Sequence, residues 1–221
     1  MMKPSFLFFI SIIVLNSSIA QVPVKDEPRH HNIFENNYVR ILDVLLKPGD
    51  TTLYHIHATP SVFIFFTKTK TGSNIINQPA SSSTNTIGNI IYDSLKTPRI
   101  HRVWNEDTSW FHVMDVEIVS QQATIKHSTL NIKNAELLFD KPLVSGYKLQ
   151  LSAGETFNIP KSDAKFLLVS IGEVNLSIII NAKEEIRVMK AGHFIWIQAN
   201  ENVVIKTVDN TQGSFALLEL K

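Results

Sequence analysis

The sequence predicts an all-β protein made of two similar barrels in one chain, preceded by an export signal. Three observations support this prediction: short runs of β-forming residues from Val39 onward, an internal repeat, and a short apolar run at the N-terminus. The length of 221 residues leaves room for one large or two small domains.

The strand signal comes from short segments rich in Val, Ile and Phe, at residues 39–45, 62–66, 166–169 and 215–220. Turn residues separate them, as at Pro48-Gly49 and Ala153-Gly154. No stretch carries a helical period over three turns. Many short strands at this spacing predict a sandwich or a barrel.

An internal repeat predicts that there are two such barrels. Residues 44–52 align with residues 149–157, and residues 101–118 align without a gap on residues 203–220. We therefore predict one domain at residues 21–122 and another at residues 135–221. The alternative is chance similarity between two β-rich segments.

The N-terminus has the pattern of a secretory signal at residues 1–20. Lys3 precedes an apolar run at residues 6–15, and the small-residue site Ser18-Ile19-Ala20 follows. The run is too short to span a bilayer, which takes about 20 residues as a helix. We expect cleavage before Gln21, a periplasmic or secreted protein, and no membrane association afterwards. The alternative is an uncleaved N-terminal anchor.

The composition excludes several classes of function. A net charge of +1 with 19% charged residues and no run of Lys or Arg argues against a nucleic-acid partner. The chain has no Cys, which excludes disulfides, thiolate zinc sites and cysteine nucleophiles.

Three histidines carry the predicted chemistry. His55 and His57 are spaced i and i+2 on a predicted strand, so their side chains project from one face. His101, on a neighbouring strand, can complete a facial set of three nitrogens with open positions for water or substrate. Neutral imidazole suits Zn, Cu, Fe and Ni alike, so the ligands do not select the metal.

Two segments resemble the paired motifs of the cupin superfamily. Gly49 stands before five residues and His55-Ile56-His57, and Pro98 precedes His101, which has Asn105 at the fourth place after it. The resemblance covers residues 33–120 well and residues 145–221 more faintly. It implies two jelly-roll barrels and one divalent metal ion, Fe, Mn, Ni, Cu or Zn, bound by His55, His57 and His101.

The chain departs from the cupin motif in two respects. The family's glutamate ligand would fall at Ser61 or Val62, and neither is a carboxylate. The remaining set resembles the iron sites of thiol-dioxygenase-like cupins more than the sites with three histidines and a glutamate. In the second copy the ligand positions align with Pro160, Ser162 and Val203, so we predict a second barrel without metal.

Alternation along the strands predicts further residues of the cavity. On residues 111–117 we expect the acidic side chains to face water, which turns His112 inward as a cavity residue. The same alternation predicts Ser61, Phe63 and Phe65 in the lining. We expect His30 and His31 to be surface residues of a mobile segment before the first strand.

These residues support two main hypotheses of function. The first is an exported metal-dependent, dioxygenase-like enzyme that acts on a small organic molecule. The second is a non-enzymatic binding protein for a sugar or another small ligand, which stays open because no general acid or base is identifiable. A scaffold with two degenerate barrels is a third. The expected partner is a small molecule, and assembly of several copies is left open.

Overall fold

The structure, a computed structural model, describes residues 21–123, 125 and 134–221. The predicted signal at residues 1–20 lies outside the described residues. Within them the chain forms nineteen strands and one short 3-10 helix, at Val24–Asp26. The prediction of an all-β fold is confirmed. Among the described residues, no helix has the length and apolar character needed to cross a membrane.

Ten strands form the first half of the chain. They are β1 (Val22–Pro23), β2 (His30–Glu35), β3 (Val39–Leu46), β4 (His55–His57), β5 (Ser61–Phe65), β6 (Lys70–Ile75), β7 (Ser81–Thr84), β8 (Ile90–Asp93), β9 (Arg99–Asn105) and β10 (Phe111–Ile118). Two sheets result, with strand orders β1-β4-β9-β6-β7 and β2-β3-β10-β5-β8.

Nine strands form the second half. They are β11 (Ala135–Asp140), β12 (Val144–Leu151), β13 (Thr156–Ile159), β14 (Lys165–Ser170), β15 (Val174–Ile180), β16 (Lys183–Met189), β17 (Phe194–Ile197), β18 (Val203–Thr207) and β19 (Gly213–Leu220). Their sheets have the orders β11-β12-β19-β14-β17 and β13-β18-β15-β16.

The two halves share one topology, which makes each a jelly-roll barrel of two sheets. Apart from the added β1, every strand of the first half has a counterpart at the same place in the second. The repeated turns also match, because Gly49 and Gly154 follow β3 and β12 with φ of +77° and +72°. Glycine adopts this left-handed conformation without the steric penalty of a side chain.

The barrels pack against each other through one sheet from each. The apolar cluster between them combines residues of β3, β5 and β10, such as Val116, with residues of β14 and β19, such as Leu218. A separate cluster fills the second barrel, and it includes Phe157, Ile159 and Val203. The sheet β2-β3-β10-β5-β8 is therefore covered on both faces, by the second barrel and by its own barrel.

This double coverage overturns the expected orientation of β10. Asp115 and Glu117 are 0% and 3% exposed, so the acids do not face water. Met114 and Val116 face the second barrel, whereas Phe111 and Val113 belong to the apolar cluster of the first. Polar alternation identifies the outward face only when that face is solvated, and here neither is.

Candidate metal centre

The first barrel holds a cluster of imidazoles on adjacent strands of one sheet. His55 and His57 alternate with Ile56 on β4, and β4 pairs with β9 so that His55 lies opposite His101. The ring centroids of His55, His57 and His101 lie 4.6–5.0 Å apart. The sequence-predicted triad is thus brought together inside the barrel.

The nitrogens of His55 and His57 face each other in a way that suits a shared cation. Nδ1 of His55 donates a hydrogen bond to the carbonyl oxygen of Leu53 at 2.9 Å, which leaves Nε2 with its lone pair. This Nε2 lies 3.2 Å from Nε2 of His57. Two ligands bound about 2.0–2.1 Å from one metal, at angles of about 90–110°, lie about 2.9–3.4 Å apart. The spacing fits a metal ion.

His101 faces the same cluster but is held less firmly. Its Nδ1 lies 3.4 Å from Oγ of Ser73, and its Nε2 is buried without a hydrogen-bond partner in the described part of the chain. A buried nitrogen without a partner is costly, and a metal ion would satisfy it. His101 is not among the three histidines whose ligand nitrogens all lie within 4.8 Å of one another.

Those three histidines are His30, His55 and His57, within the described residues. The expectation that His30 is a surface residue is wrong: it is 8% exposed, and its ring lies 4.6 Å from that of His55. The reason is that β1 pairs in parallel with β4, which carries the N-terminal segment over the site. His31, the next residue, is exposed as expected.

Burial keeps the imidazoles of His55, His57 and His101 neutral. It lowers the pKa of His55 to about 4 and that of His101 to about 2, and neighbouring positive charge adds to the effect. The pKa of His57 is lowered further, first by burial and then by His101 and His55. Metal ions bind neutral imidazole, so protons compete little for these nitrogens at neutral pH.

A buried carboxyl group stands behind His57. Oδ2 of Asp115 lies 3.5 Å from Nδ1 of His57, and both atoms lack a hydrogen-bond partner among the described residues. Burial, to which the charge of Glu117 adds, raises the pKa of Asp115 to about 8, although the nearby Ser61 hydroxyl opposes the rise. Carboxylates commonly orient metal-binding imidazoles from this side.

The imidazoles open into a cavity of about 190 Å³. An engineered apolar cavity of about 150 Å³ holds benzene, so the volume suits a molecule with one ring or a small acid. The side chains that line it include His30, Val44, Leu46, Thr52, His55, His57, Phe63, Phe65, Thr71, Ser73, Asn85, Arg99, His101, Val103, Phe111, Val113 and Asp115.

The sequence-predicted lining residues separate into three positions. Phe63 and Phe65 line the cavity. Ser61 is fully buried beside Asp115, behind the lining. His112 does not line the cavity. Its Nε2 lies 2.7 Å from Oδ1 of Asp43, and its ring contacts that of Phe66. The rings of His112 and Phe66 both lie next to Gly192 and therefore face the second barrel. The orientation of β10 that places Asp115 inward places His112 outward.

Arg99 is the cationic residue of the lining. It lies opposite His57 in the pairing of β4 with β9, and its Nη1 bonds Asp93. Its Nε is buried without a partner in the part of the chain that the structure describes. An anionic group in the cavity would satisfy this nitrogen.

Sequence reasoning missed His30, Asp115 and Arg99 as residues of the site. His30 has one local signal, the acidic residue Glu27 three positions earlier, which now bonds its ring. Asp115 and Arg99 have none, because their positions depend on pairing between distant segments.

The second barrel lacks imidazoles at the equivalent positions. Val203 pairs with Ile159, just as His101 pairs with His55. The strand pairing therefore places Ile159, rather than Pro160, at the position of His55. Both Ile159 and Val203 are fully buried in the apolar core, so apolar side chains fill the space that the cavity occupies in the first barrel.

No protein-family model and no curated protein sequence matches the chain. Solved structures do match. A cupin 2 conserved barrel domain protein from Leptotrichia buccalis superposes with a TM-score of 0.55 at 13% identity, covering 85% of this chain and 86% of that one. Salicylate 1,2-dioxygenase from Pseudoaminobacter salicylatoxidans, in adducts with gentisate, gives 0.59 at 9% identity, covering 85% and 70%.

A third similar structure is the oxalate decarboxylase of Lactobacillus farciminis in its formate complex. It superposes with a TM-score of 0.58 at 9% identity, covering 84% of this chain and 78% of that one. At such identities the likeness shows the fold. The chain has the cupin fold, as two barrels in one chain.

Proposed function

We propose that this chain is a mononuclear metal enzyme of dioxygenase type that acts on a small organic molecule. The observation that supports it best is the convergence of buried, neutral imidazoles in the lining of a mainly apolar cavity, with Nε2 atoms of His55 and His57 3.2 Å apart. In this proposal His55, His57 and His101 hold one divalent ion. Salicylate 1,2-dioxygenase, a solved structure of similar fold, gives a precedent for the reaction class.

A divalent metal bound there would supply Lewis-acid or redox chemistry toward a substrate oxygen and O₂. The chain's own residues orient the reaction. Leu53 fixes the proton of His55 on Nδ1, and Asp115 stands where it can hold a proton between its Oδ2 and Nδ1 of His57. Side chains such as Phe63, Phe65 and Val113 make the lining next to these groups mainly apolar.

We propose that the substrate carries an anionic group. The cavity walls are mainly apolar and its volume of about 190 Å³ limits the substrate to about one ring. Arg99 supplies a positive charge in the lining, and its buried Nε has no hydrogen-bond partner among the described residues.

The binding-protein hypothesis rested on the lack of an acid or base near the histidines. Asp115 lines the cavity with a pKa raised to about 8, mainly by burial. A group that titrates near neutral pH beside the proposed metal can take up or release a proton during a reaction. This observation favours the enzyme over the binding protein.

We also propose that the protein is exported, on the pattern of Lys3, the apolar residues 6–15 and the small residues before Gln21. The first strand begins at Val22, directly after the proposed cleavage point.

The test of the enzyme is metal loading followed by oxygen uptake. The purified protein is incubated without air with Fe²⁺, Mn²⁺, Ni²⁺, Cu²⁺ or Zn²⁺, dialysed, and analysed for bound metal. We expect stoichiometric retention, and the variant His57→Ala should lose most of the metal while its β-sheet circular dichroism stays nearly unchanged. Loaded protein is then supplied with small aromatic and aliphatic carboxylates in an oxygen electrode. If the protein retained no metal, the proposal would be overturned. If it retained metal but took up no oxygen, the hypothesis of a non-enzymatic binding protein would be favoured.

A further inference from the structure

The N-terminal segment of the described chain packs against β4, the strand that carries His55 and His57. β1 pairs in parallel with β4, with Val22 opposite His55, and the N–H of Val22 donates to the carbonyl of Tyr54. The 3-10 helix Val24–Asp26 then turns the chain, and β2 begins at His30. Two elements therefore fix the position of His30 from both sides.

Glu27 orients His30 through a buried hydrogen-bond network. Its side chain is fully buried, and Oε2 accepts bonds from Nδ1 of His30 at 2.7 Å and from the N–H of Arg29 at 2.8 Å. Oε1 accepts a bond from the N–H of Leu53 at 3.0 Å. Although burial raises the pKa of Glu27, the bonds from His30, Leu53 and Arg29 lower it more, so the group is a carboxylate.

The backbone of the same residue, Leu53, orients a second imidazole. Leu53 donates its N–H to Glu27 and accepts the Nδ1 proton of His55 on its carbonyl oxygen. With their Nδ1 atoms occupied, His30 and His55 both have Nε2 left for another partner. Their rings lie 4.6 Å apart, and one ligand nitrogen each from His30, His55 and His57 lies within 4.8 Å of the other two.

We infer that His30 is a further imidazole ligand of the metal, held in place by Glu27. This inference rests on the proposed metal site and extends it. The cupin motif has a glutamate where this chain has Ser61 or Val62, and His30 would supply a ligand in its stead from a different strand, β2. The substitution replaces an anionic ligand by a neutral one, so His30, His55, His57 and His101 leave the full charge of the metal for an anionic substrate.

The number of imidazole ligands can be measured in the zinc-loaded protein. Wild-type protein is loaded with Zn²⁺, and X-ray absorption at the zinc edge counts the imidazoles at about 2.0–2.1 Å. We expect four in the wild type and three in His30→Ala and His30→Gln. The glutamine keeps a donor for Glu27, so it removes the imidazole with less disturbance of the network. His31→Ala is the matched control, because the neighbouring imidazole is exposed, and it should keep four.

Affinity and hydrogen exchange give two further readouts. In competition with a chromophoric chelator, both His30 variants should raise the Kd for Zn²⁺ at least tenfold, and Glu27→Gln should raise it about 10–100-fold. Zn²⁺ should slow amide exchange in residues 22–35 of the wild type and leave it unchanged in His30→Gln.

The outcomes separate this inference from the metal site itself. Three imidazoles in the wild type, together with an unchanged Kd in His30→Gln, would overturn the role of His30 and leave the metal site standing. Failure of the wild type to bind Zn²⁺ or any other tested metal would overturn both. The wild-type imidazole count needs no variant, so an unstable substitution would not prevent a decision.

Discussion

Oδ2 of Asp115 lies 3.5 Å from Nδ1 of His57, and each of the two side chains is 1% exposed. A carboxyl group with so little solvent resists ionisation, and burial raises its pKa to about 8. The ordinary value is about 3.9, so in the metal-free protein Asp115 contributes stability at acidic pH that is lost as the pH rises towards 8.

We predict that Asp115→Asn stabilises the metal-free protein at pH 8 and weakens metal binding. Asparagine does not titrate, so the variant avoids the cost of ionising a buried group, on the order of several kcal/mol at pH 8. In thermal unfolding between pH 4 and 8, the melting temperature of the variant should exceed that of the wild type, and this difference should shrink towards pH 4. Zn²⁺ affinity should fall about 10–100-fold through loss of the group behind His57. Asp26→Asn, at an exposed position, should change neither. If Asp115→Asn were more stable than the wild type by the same amount at every pH, the raised pKa of Asp115 would be contradicted.

His55 should have the opposite effect of pH on stability. Burial lowers its pKa to about 4. In the unfolded chain the pKa of a histidine is about 6.5. Between this pH and about 4, the unfolded state therefore binds a proton at His55 that the folded state does not bind. We predict that metal-free wild type loses about 3 kcal/mol relative to His55→Gln as the pH falls from 6.5 to about 4.

The comparison uses chemical unfolding of both proteins at each pH. The difference between their free energies of unfolding reports on His55 alone, because the contribution of Asp115 is common to both proteins. Asp115 titrates over part of the same pH range, and its effect on stability has the opposite sign. A constant difference across this range would show that His55 is not a buried neutral imidazole.

The fold could be predicted from sequence because its signals are local or repeated. Short runs of β-forming residues such as 62–66 define strands, and the gapless match of residues 101–118 with 203–220 corresponds to β9-β10 and β18-β19. The spacing of His55 and His57 fixes a common face in any strand. The matching topology of the two barrels confirms the prediction of two jelly rolls.

The rest of the site depends on pairings that no short segment encodes. His30 reaches the cluster only because β1 pairs with β4 across more than thirty residues. The orientation of β10, which places Asp115 inward and His112 outward, depends on the second barrel covering its other face. Local alternation cannot distinguish a strand that is buried on both faces from one that is half exposed.

Export gives a prediction that depends on the N-terminal sequence alone. We predict that protein recovered from outside the cytoplasm begins at Gln21, as intact-mass spectrometry would show. Ala20→Leu should block cleavage because the cleavage site needs a small residue, and Ser17→Ala should have no effect. A mature species that retains Lys3 would contradict the prediction.

The interface between the barrels gives the last prediction, that the two halves unfold as one unit. Leu218 on β19 is fully buried in the cluster between the sheets, together with residues of the first barrel such as Met114 and Val116. Leu218→Ala should cost about 2–5 kcal/mol, as for other large-to-small changes in a core. Leu137→Ala, where the leucine is 54% exposed, should cost less than about 0.5 kcal/mol.

Calorimetry is the decisive measurement, because it distinguishes one transition from two. Separation of the barrels would expose apolar faces of both, so we expect a single transition that Leu218→Ala moves as a whole to lower temperature. Zn²⁺ bound in the first barrel should move the same transition upward, since a ligand of the folded state stabilises every part that unfolds with it. Two resolved transitions, with Zn²⁺ acting on one and Leu218→Ala on the other, would show that the barrels are energetically independent.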